Sequence, residues 1–334
     1  MSIIADTLSS LSLGSAQTHA HLTLIPLIGE TLGEADYRLL DAALAQGCAR
    51  VTEVSEAGVV PELQVHNQCA DPILLLDGEE LVGAKQNRIL NLSVLVPAGR
   101  TTTIPVSCVE AGRWRADAAE LRSAGRAHFA AGRARKSHKV SESLARRGSR
   151  ESDQSEVWQD ISEKAARMAV RSSTNAAAAL YSAHEDRLQG YLDAFRPVEQ
   201  QRGALFLLNQ QVLSCDLFDA AETCAATLPK LVRSCALDAL DAALETPEQE
   251  AVHPSAEQAA ASFLSVLAAT DVQVFPAVGL GEDLRISGDQ VTGGALCIEE
   301  RLIHLCAFPH AASSGQRSRP SQMARASQRH RGRA

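Results

Sequence analysis

The sequence predicts an α+β fold, a single large domain with an antiparallel β-rich core and flanking helices, and three observations predict it. The first hundred residues are dense in apolar residues alternating with period two. Segments with apolar residues at +3 and +4 follow, and two hairpin-like stretches, 203–215 and 294–306, are separated by further helical pattern. With 334 residues, 45% of them hydrophobic, the chain can bury a full core without a metal or a membrane.

Taken in order, residues 21–27 form the first strand candidate, and Tyr37, Leu40 and Leu44 mark a short helix stopped by Gly47. Leu63 and Val65 alternate with Gln64 and His66, and 73–76 runs into Asp77-Gly78, a two-residue hairpin signal. Leu92, Val94 and Val96 share one strand face before Pro97-Ala98-Gly99. Ile104, Val106 and Cys108 share another after it, and Pro105 predicts an edge position for that strand. From 117 to 155 the apolar periodicity is lost to Gly, Ser, Arg and Lys, which predicts a long, mobile surface insertion. Trp158, Ile161, Ala165 and Met168 make one helical stripe, and a second helix spans about 175–195 before Pro197. The hairpin at 203–215 turns at Asn209-Gln210, and its pattern recurs 91 residues later at 294–306. The recurrence reads either as a weak duplication or as two hairpins sharing ordinary strand grammar. Between them helices are expected over 229–244 and 255–267, the second opened by the capping box Ser255-x-x-Gln258. The domain is placed over 18–310, with 311–334 a disordered Arg-rich tail.

Charge is distributed unevenly. Residues 113–150 carry +8 and 311–334 carry +6 against a net −8, so the rest carries −22, and an acidic body with 4% aromatics makes nucleic acid an unlikely partner. No stretch reaches the roughly 20 apolar residues of a membrane span, and the first 19 residues lack the basic start and apolar centre of a signal peptide, so a cytoplasmic protein with no membrane partner is expected. The eight cysteines show no zinc-ligand spacing, and most are expected to be reduced core thiols. Neither a metal nor an organic cofactor is expected.

Three polar constellations could carry chemistry. The first is Gly78-Glu79-Glu80-Leu81-Val82-Gly83-Ala84-Lys85-Gln86-Asn87-Arg88, closed by Asn91. An extended chain sends Glu79 and Glu80 to opposite faces, grouping Glu80 with Gln86 and Arg88, or Glu79 with Lys85 and Asn87. Glu80 is the candidate general base, with Glu79 its alternative; Lys85 and Arg88 suit phosphate, and Gln86, Asn87 and Asn91 can read a sugar or base by paired hydrogen bonds. The second constellation is residues 107–114, where Glu110, Arg113 and Trp114 supply an acid, an anion contact and a stacking wall. The third is residues 279–285, where Gly279 and Gly281 free backbone N–H groups for a phosphate beside Asp283 and Arg285. The competing structural explanations are turn residues and surface ion pairs for the first, a core-plugging Trp114 with charges paired to each other for the second, and a plain β-turn for the third.

The motifs Glu79-Glu80-Leu81-x-Gly83-Ala84-Lys85-Gln86-Asn87-Arg88-x-x-Asn91, Pro105-Val106-Ser107-Cys108-Val109-Glu110-x-Gly112-Arg113-Trp114, Gln154-x-x-Val157-Trp158 and Ser172-x-Thr174 resemble the domain family named for its association with ADP-ribosylglycohydrolases and rhodanese-phosphatases. The stretch 278–285 and the paired hairpins extend the likeness to Phe308, about nine tenths of the chain. The resemblance implies a link to pathways handling NAD and ADP-ribose, without an assigned reaction. The expected function is therefore binding, with or without hydrolysis, of a nucleotide or ADP-ribose-like small molecule. The alternative is a non-catalytic sensing or interaction module working with an ADP-ribosylglycohydrolase-type pathway partner.

Overall fold

The computed structural model describes residues 2–31, 35–55, 60–114, 120–244 and 254–310. The tail expected over 311–334 lies outside the described residues. The chain opens with α1 (Ile3–Ser9), β1 (Ser12–Leu13), β2 (Gln17–His19) and β3 (Leu22–Ile28), ahead of β4 (Arg38–Leu39) and α2 (Leu40–Ala45). Eight strands follow: β5 (Ala49–Glu53), β6 (Glu62–Asn67), β7 (Ile73–Leu75), β8 (Glu79–Gly83), β9 (Arg88–Leu90), β10 (Val94–Val96), β11 (Thr101–Cys108) and β12 (Glu120–Ala127). Then come α3 (Ala130–Arg147), α4 (Gln154–Arg167), α5 (Ala178–Ala183) and α6 (Glu185–Ala194). The chain finishes with β13 (Gln201–Leu208), β14 (Gln211–Phe218), α7 (Ala221–Ala242), α8 (Ala256–Ala269), β15 (Val272–Pro276), β16 (Glu282–Ser287), β17 (Val291–Ile298) and β18 (Arg301–Pro309).

These elements build two β bodies. A nine-stranded antiparallel sheet runs β1-β3-β13-β14-β18-β17-β16-β15, with β2 also on β3. A closed barrel runs β11-β6-β5-β12-β8-β9, and β10-β7-β4 form a small third sheet. Alternation along β13 sorts the large sheet's side chains: Leu205 and Leu207 join Ile4, Leu8, Phe263 and Leu267 from α1 and α8, whereas Ala204 and Phe206 join Leu228, Leu231 and Val232 from α7. The barrel fills its own interior with Val51, Leu63, Val65, Leu81, Leu90, Ile104, Val106 and Leu121. The α+β architecture of the sequence reading is thus observed, with one β body as a sheet and the other closed.

Several local expectations are corrected. The stretch 117–155 holds β12 and the 18-residue helix α3, not a surface insertion. Its inward face is Arg133, Lys136, Ser137, Val140, Ser141 and Leu144, a helical spacing that apolar counting misses because the buried face is mostly polar. Asp77-Gly78 is a turn but not a hairpin, since β7 pairs with β10 and β4 while β8 pairs with β12 and β9. Gly78 is held there by φ +74° and by the Arg133 side chain, which a Cβ would meet at 2.8 Å.

Pro105 lies in a barrel strand with no free edge. It is tolerated because β11 changes partner at that residue, from β6 over Thr101–Pro105 to β9 over Val106–Cys108. The expected helix over 175–195 is broken at His184 into α5 and α6, and α7 begins eight residues before Pro229. Cys48 and Cys69 are disulfide-bonded, and the other six cysteines are buried thiols. The two hairpins do occupy matching places about the β14/β18 ladder, but their bulges, turns and all but the last strand end correspond at an offset of 90, not 91. A one-residue slip inverts the faces, so the residues that match at an offset of 91 do not occupy equivalent positions. Among the described residues no helix is long and apolar enough to cross a membrane.

Barrel, α3 and large sheet meet in a buried charge network. Arg133 donates to Asp77 (3.2 Å) in the β7–β8 turn and to both oxygens of Asp216 on β14 (2.6 and 3.2 Å). Lys136 donates to Asp77 (2.6 Å) and to the carbonyls of Leu90 and Asn91 (2.9 Å each). Arg133→Ala should cost about 3–5 kcal/mol in chemical denaturation because two carboxylates lose their buried partner. Arg135→Ala, on the exposed side of the same helix, should cost under about 1 kcal/mol. Similar losses for the two would contradict the role given to the network.

Candidate functional site

The candidate site is built where β8 turns into β9. Gly83 takes φ +124°, and a Cβ there would stand 2.7 Å from the Glu120 carbonyl; Ala84 takes φ +42°. These two residues break the extended alternation, so the expected grouping of Glu80 with Gln86 and Arg88 does not form. Instead Ala84-Lys85-Gln86-Asn87 curls back as a four-residue loop. Asn87 Oδ1 accepts from Gly83 N–H (3.3 Å) and from Arg113 (3.1 Å), and Lys85 N–H donates to Glu53 (3.3 Å).

The second constellation joins this loop. Glu110 accepts from Arg113 Nε (2.9 Å), from Thr174 (2.8 Å) and from Asn87 N–H (3.3 Å), while Gln86 donates to the Glu110 carbonyl (2.9 Å). Arg113 also donates to the Ala84 carbonyl (2.7 Å). Burial pushes the Glu110 carboxyl up, but its hydrogen bonds from Arg113, Thr174 and Asn87 outweigh that and hold it below the usual carboxylate range. Glu110 therefore stays ionised and orders the loop.

Arg88 is the buried centre of the site. Its cross-strand partners Leu81 and Cys108 put it on the inner face of the barrel, and Glu53, partnered with Leu63, shares that face. Arg88 is fully buried and gives Nη1 to Gln86 (3.2 Å). Its Nη2 stands 4.0 Å from Glu53 Oε1, and Nε and Nη2 make no hydrogen bond among the described residues. Above it lies Trp114, 48% exposed, with Arg88 5.7 Å and Lys85 5.5 Å from its ring centre. Cys108 beside Arg88 is no nucleophile, because burial pushes its thiol up to about 11. An open cleft of about 1290 Å³ begins at the same loop and is lined by Asn87, Glu110, Arg113, Arg122, Arg126 and Thr174.

The other expected residues lie elsewhere. Glu79 pairs with Lys230 of α7 and accepts from Leu76 N–H, on a different side from Glu80. Glu80 is gripped by Arg126 at 2.6 and 3.0 Å, and that guanidinium lies over the Tyr181 ring. Asn91 binds Ser107 and the Arg150 carbonyl.

The third constellation does not converge on the loop either. Gly279 and Gly281 shape the turn that seats Leu280 N–H on the Leu95 carbonyl, and Arg285 links Asp283 to Ser137 and Ser141 of α3. Glu53, Arg126 and Thr174 were not singled out as site residues from the sequence. For Glu53 the usable signal is parity with Val51, an acid on the inward face of a strand.

One further arrangement has the order of a hydrolytic triad. Ser93 Oγ lies 2.7 Å from His304 Nδ1, and His304 Nε2 lies 3.4 Å from Asp216. Arg133 occupies both Asp216 oxygens and Ser93 Oγ accepts the Asp77 N–H (2.9 Å), so this row belongs to the buried charge network.

The depressed carboxyl of Glu110 has a pH signature. With its folded value below its unfolded one, its stabilisation is complete above the ordinary carboxylate range near about pH 4.3 and is lost as pH falls through the folded value. Glu110→Gln should destabilise by about 1.5–3 kcal/mol at neutral pH, and the gap to wild type should shrink on acidification. Denaturation series from neutral pH down to about pH 3 read this directly, and a gap independent of pH would contradict it.

No curated protein and no solved structure matches the chain. A family model, the ARG and Rhodanese-Phosphatase-superfamily-associated Protein domain, matches residues 10–308, taking in both β bodies and every residue of the site. The chain therefore belongs to the family of ARG and rhodanese-phosphatase-superfamily-associated protein domains.

Proposed function

We propose that the protein binds a nucleotide or ADP-ribose-like small molecule at the mouth of the barrel. The observation that carries this reading is a fully buried arginine with two unspent donors beneath a half-exposed tryptophan. Trp114 offers a flat wall for a base, Lys85 a cation for phosphate at the rim, and Arg88 hydrogen-bond donors below. The family's name, which couples it to ADP-ribosylglycohydrolase-type proteins, supports an ADP-ribose-containing ligand.

Binding is favoured over hydrolysis because the three carboxylates expected from the sequence to supply acid or base are held by other side chains. Glu79 holds Lys230, Glu80 holds Arg126, and Glu110 holds Arg113 and Thr174. A ligand-sensing module working with an ADP-ribose-processing partner fits this arrangement better than an enzyme.

Arg88→Ala is a poor test, since removing a buried cation from beside Glu53 also costs stability. Trp114→Ala should keep the thermal midpoint within about 1 °C and weaken binding by about 1–3 kcal/mol, the worth of one stacked base. Lys85→Ala should weaken phosphate-bearing ligands more than nucleosides. Calorimetry with ADP-ribose, NAD and AMP decides the matter: no heat from any of them, or equal binding by the Trp114→Ala protein, removes the site.

A further inference from the structure

We infer that the ligand group entering the barrel mouth is neutral and carries a hydrogen-bond donor beside an acceptor, as the vicinal hydroxyls of a ribose do, and that it is not a phosphate. This rests on the binding reading above and specifies its chemistry. Arg88 Nε and Nη2 each need an acceptor, while Glu53 Oε2, also buried, needs a donor. The two side chains share the inner face of the barrel with Arg88 Nη2 4.0 Å from Glu53 Oε1, which brings the orphan donors and the orphan acceptor close together.

Charge decides between the candidates. Arg88 contributes one positive charge and Glu53 one negative, and the neighbouring Glu110 is balanced by Arg113 at 2.8 Å. Cys108 adds none, because burial keeps its thiol protonated. A phosphate placed against Arg88 would give up its hydration and also lie beside the Glu53 carboxylate, so attraction and repulsion would nearly cancel while desolvation remained. A diol loses little hydration. One hydroxyl can accept from the guanidinium while its neighbour donates to Glu53, which satisfies the groups left over on both side chains. The phosphate then belongs outside, on Lys85 beside Trp114. A primary amide has the same paired donor and acceptor, with its oxygen toward Arg88 and its nitrogen toward Glu53.

The test is calorimetry on the full chain with AMP, 2′,3′-dideoxy-AMP, nicotinamide and inorganic pyrophosphate. AMP should bind, and the dideoxy analogue should bind about ten- to a hundredfold more weakly. Pyrophosphate should not compete with AMP. Glu53→Gln, which removes the opposing negative charge, should let pyrophosphate compete. Nicotinamide competing with AMP would support the same donor–acceptor chemistry with the amide as its source. Equal binding of AMP and its dideoxy analogue, or competition by pyrophosphate in the wild type, would overturn this inference and leave nucleotide binding standing. Absence of heat from AMP, ADP-ribose and NAD alike would remove the binding reading itself. If Glu53→Gln does not fold, the wild-type comparisons decide alone.

Discussion

The ion cluster of Asp77, Arg133, Lys136 and Asp216 is the constraint on which the rest of the structure depends. Its members come from the barrel, from α3 and from the centre of the large sheet, and each is nearly or fully buried. Two cations offset two carboxylates, so the cluster itself carries no net charge. The geometry is demanding because a buried ion recovers its lost hydration only when its remaining hydrogen bonds are also made. Lys136 meets that demand with two carbonyls at the β9 end, and Asp216 with Arg133 on both of its oxygens. The cluster thereby fixes how the two β bodies sit against each other, and with them the strand from which Arg88 projects.

The site repeats the pattern on a smaller scale. Glu110 and Arg113 form a closed knot that holds the β8–β9 loop, whereas Arg88 and Glu53 form an open one with hydrogen-bonding capacity left over. Rigid support beneath a partly unspent pair is the arrangement expected of a binding site, where the groups must hold their geometry before the ligand arrives.

Much of this was legible in the sequence, and the failures have physical causes. Strand alternation located β6 and β11, whose alternate side chains fill the barrel, and the hairpin pattern located β13, β14, β17 and β18, whose two faces both meet apolar cores. Helix α3 was missed because its inner face is ionic, and hydrophobic periodicity cannot register a buried arginine. The loop residues Lys85 to Arg88, Glu110 and Arg113 were recognised as polar groups of interest and do come together. Glu79 and Glu80 looked equally promising, yet their partners Lys230 and Arg126 lie 151 and 46 residues away, a distance that local spacing does not see. The same holds for Arg285, whose partners sit on α3.

The strand connections also impose an order of assembly. All the barrel's ladders lie within residues 49–127, so the barrel can close on a growing chain as soon as β12 has emerged. The large sheet cannot. Its β3 waits for β13, and its middle ladder joins β14 to β18, the last described strand. During synthesis the inner edge of β3 stands unpaired until β13 arrives, and one edge of β14 until the final strand arrives, the period in which unpaired edges invite aggregation. The sheet's long-range pairing, and not the closed barrel, then governs how fast the molecule matures.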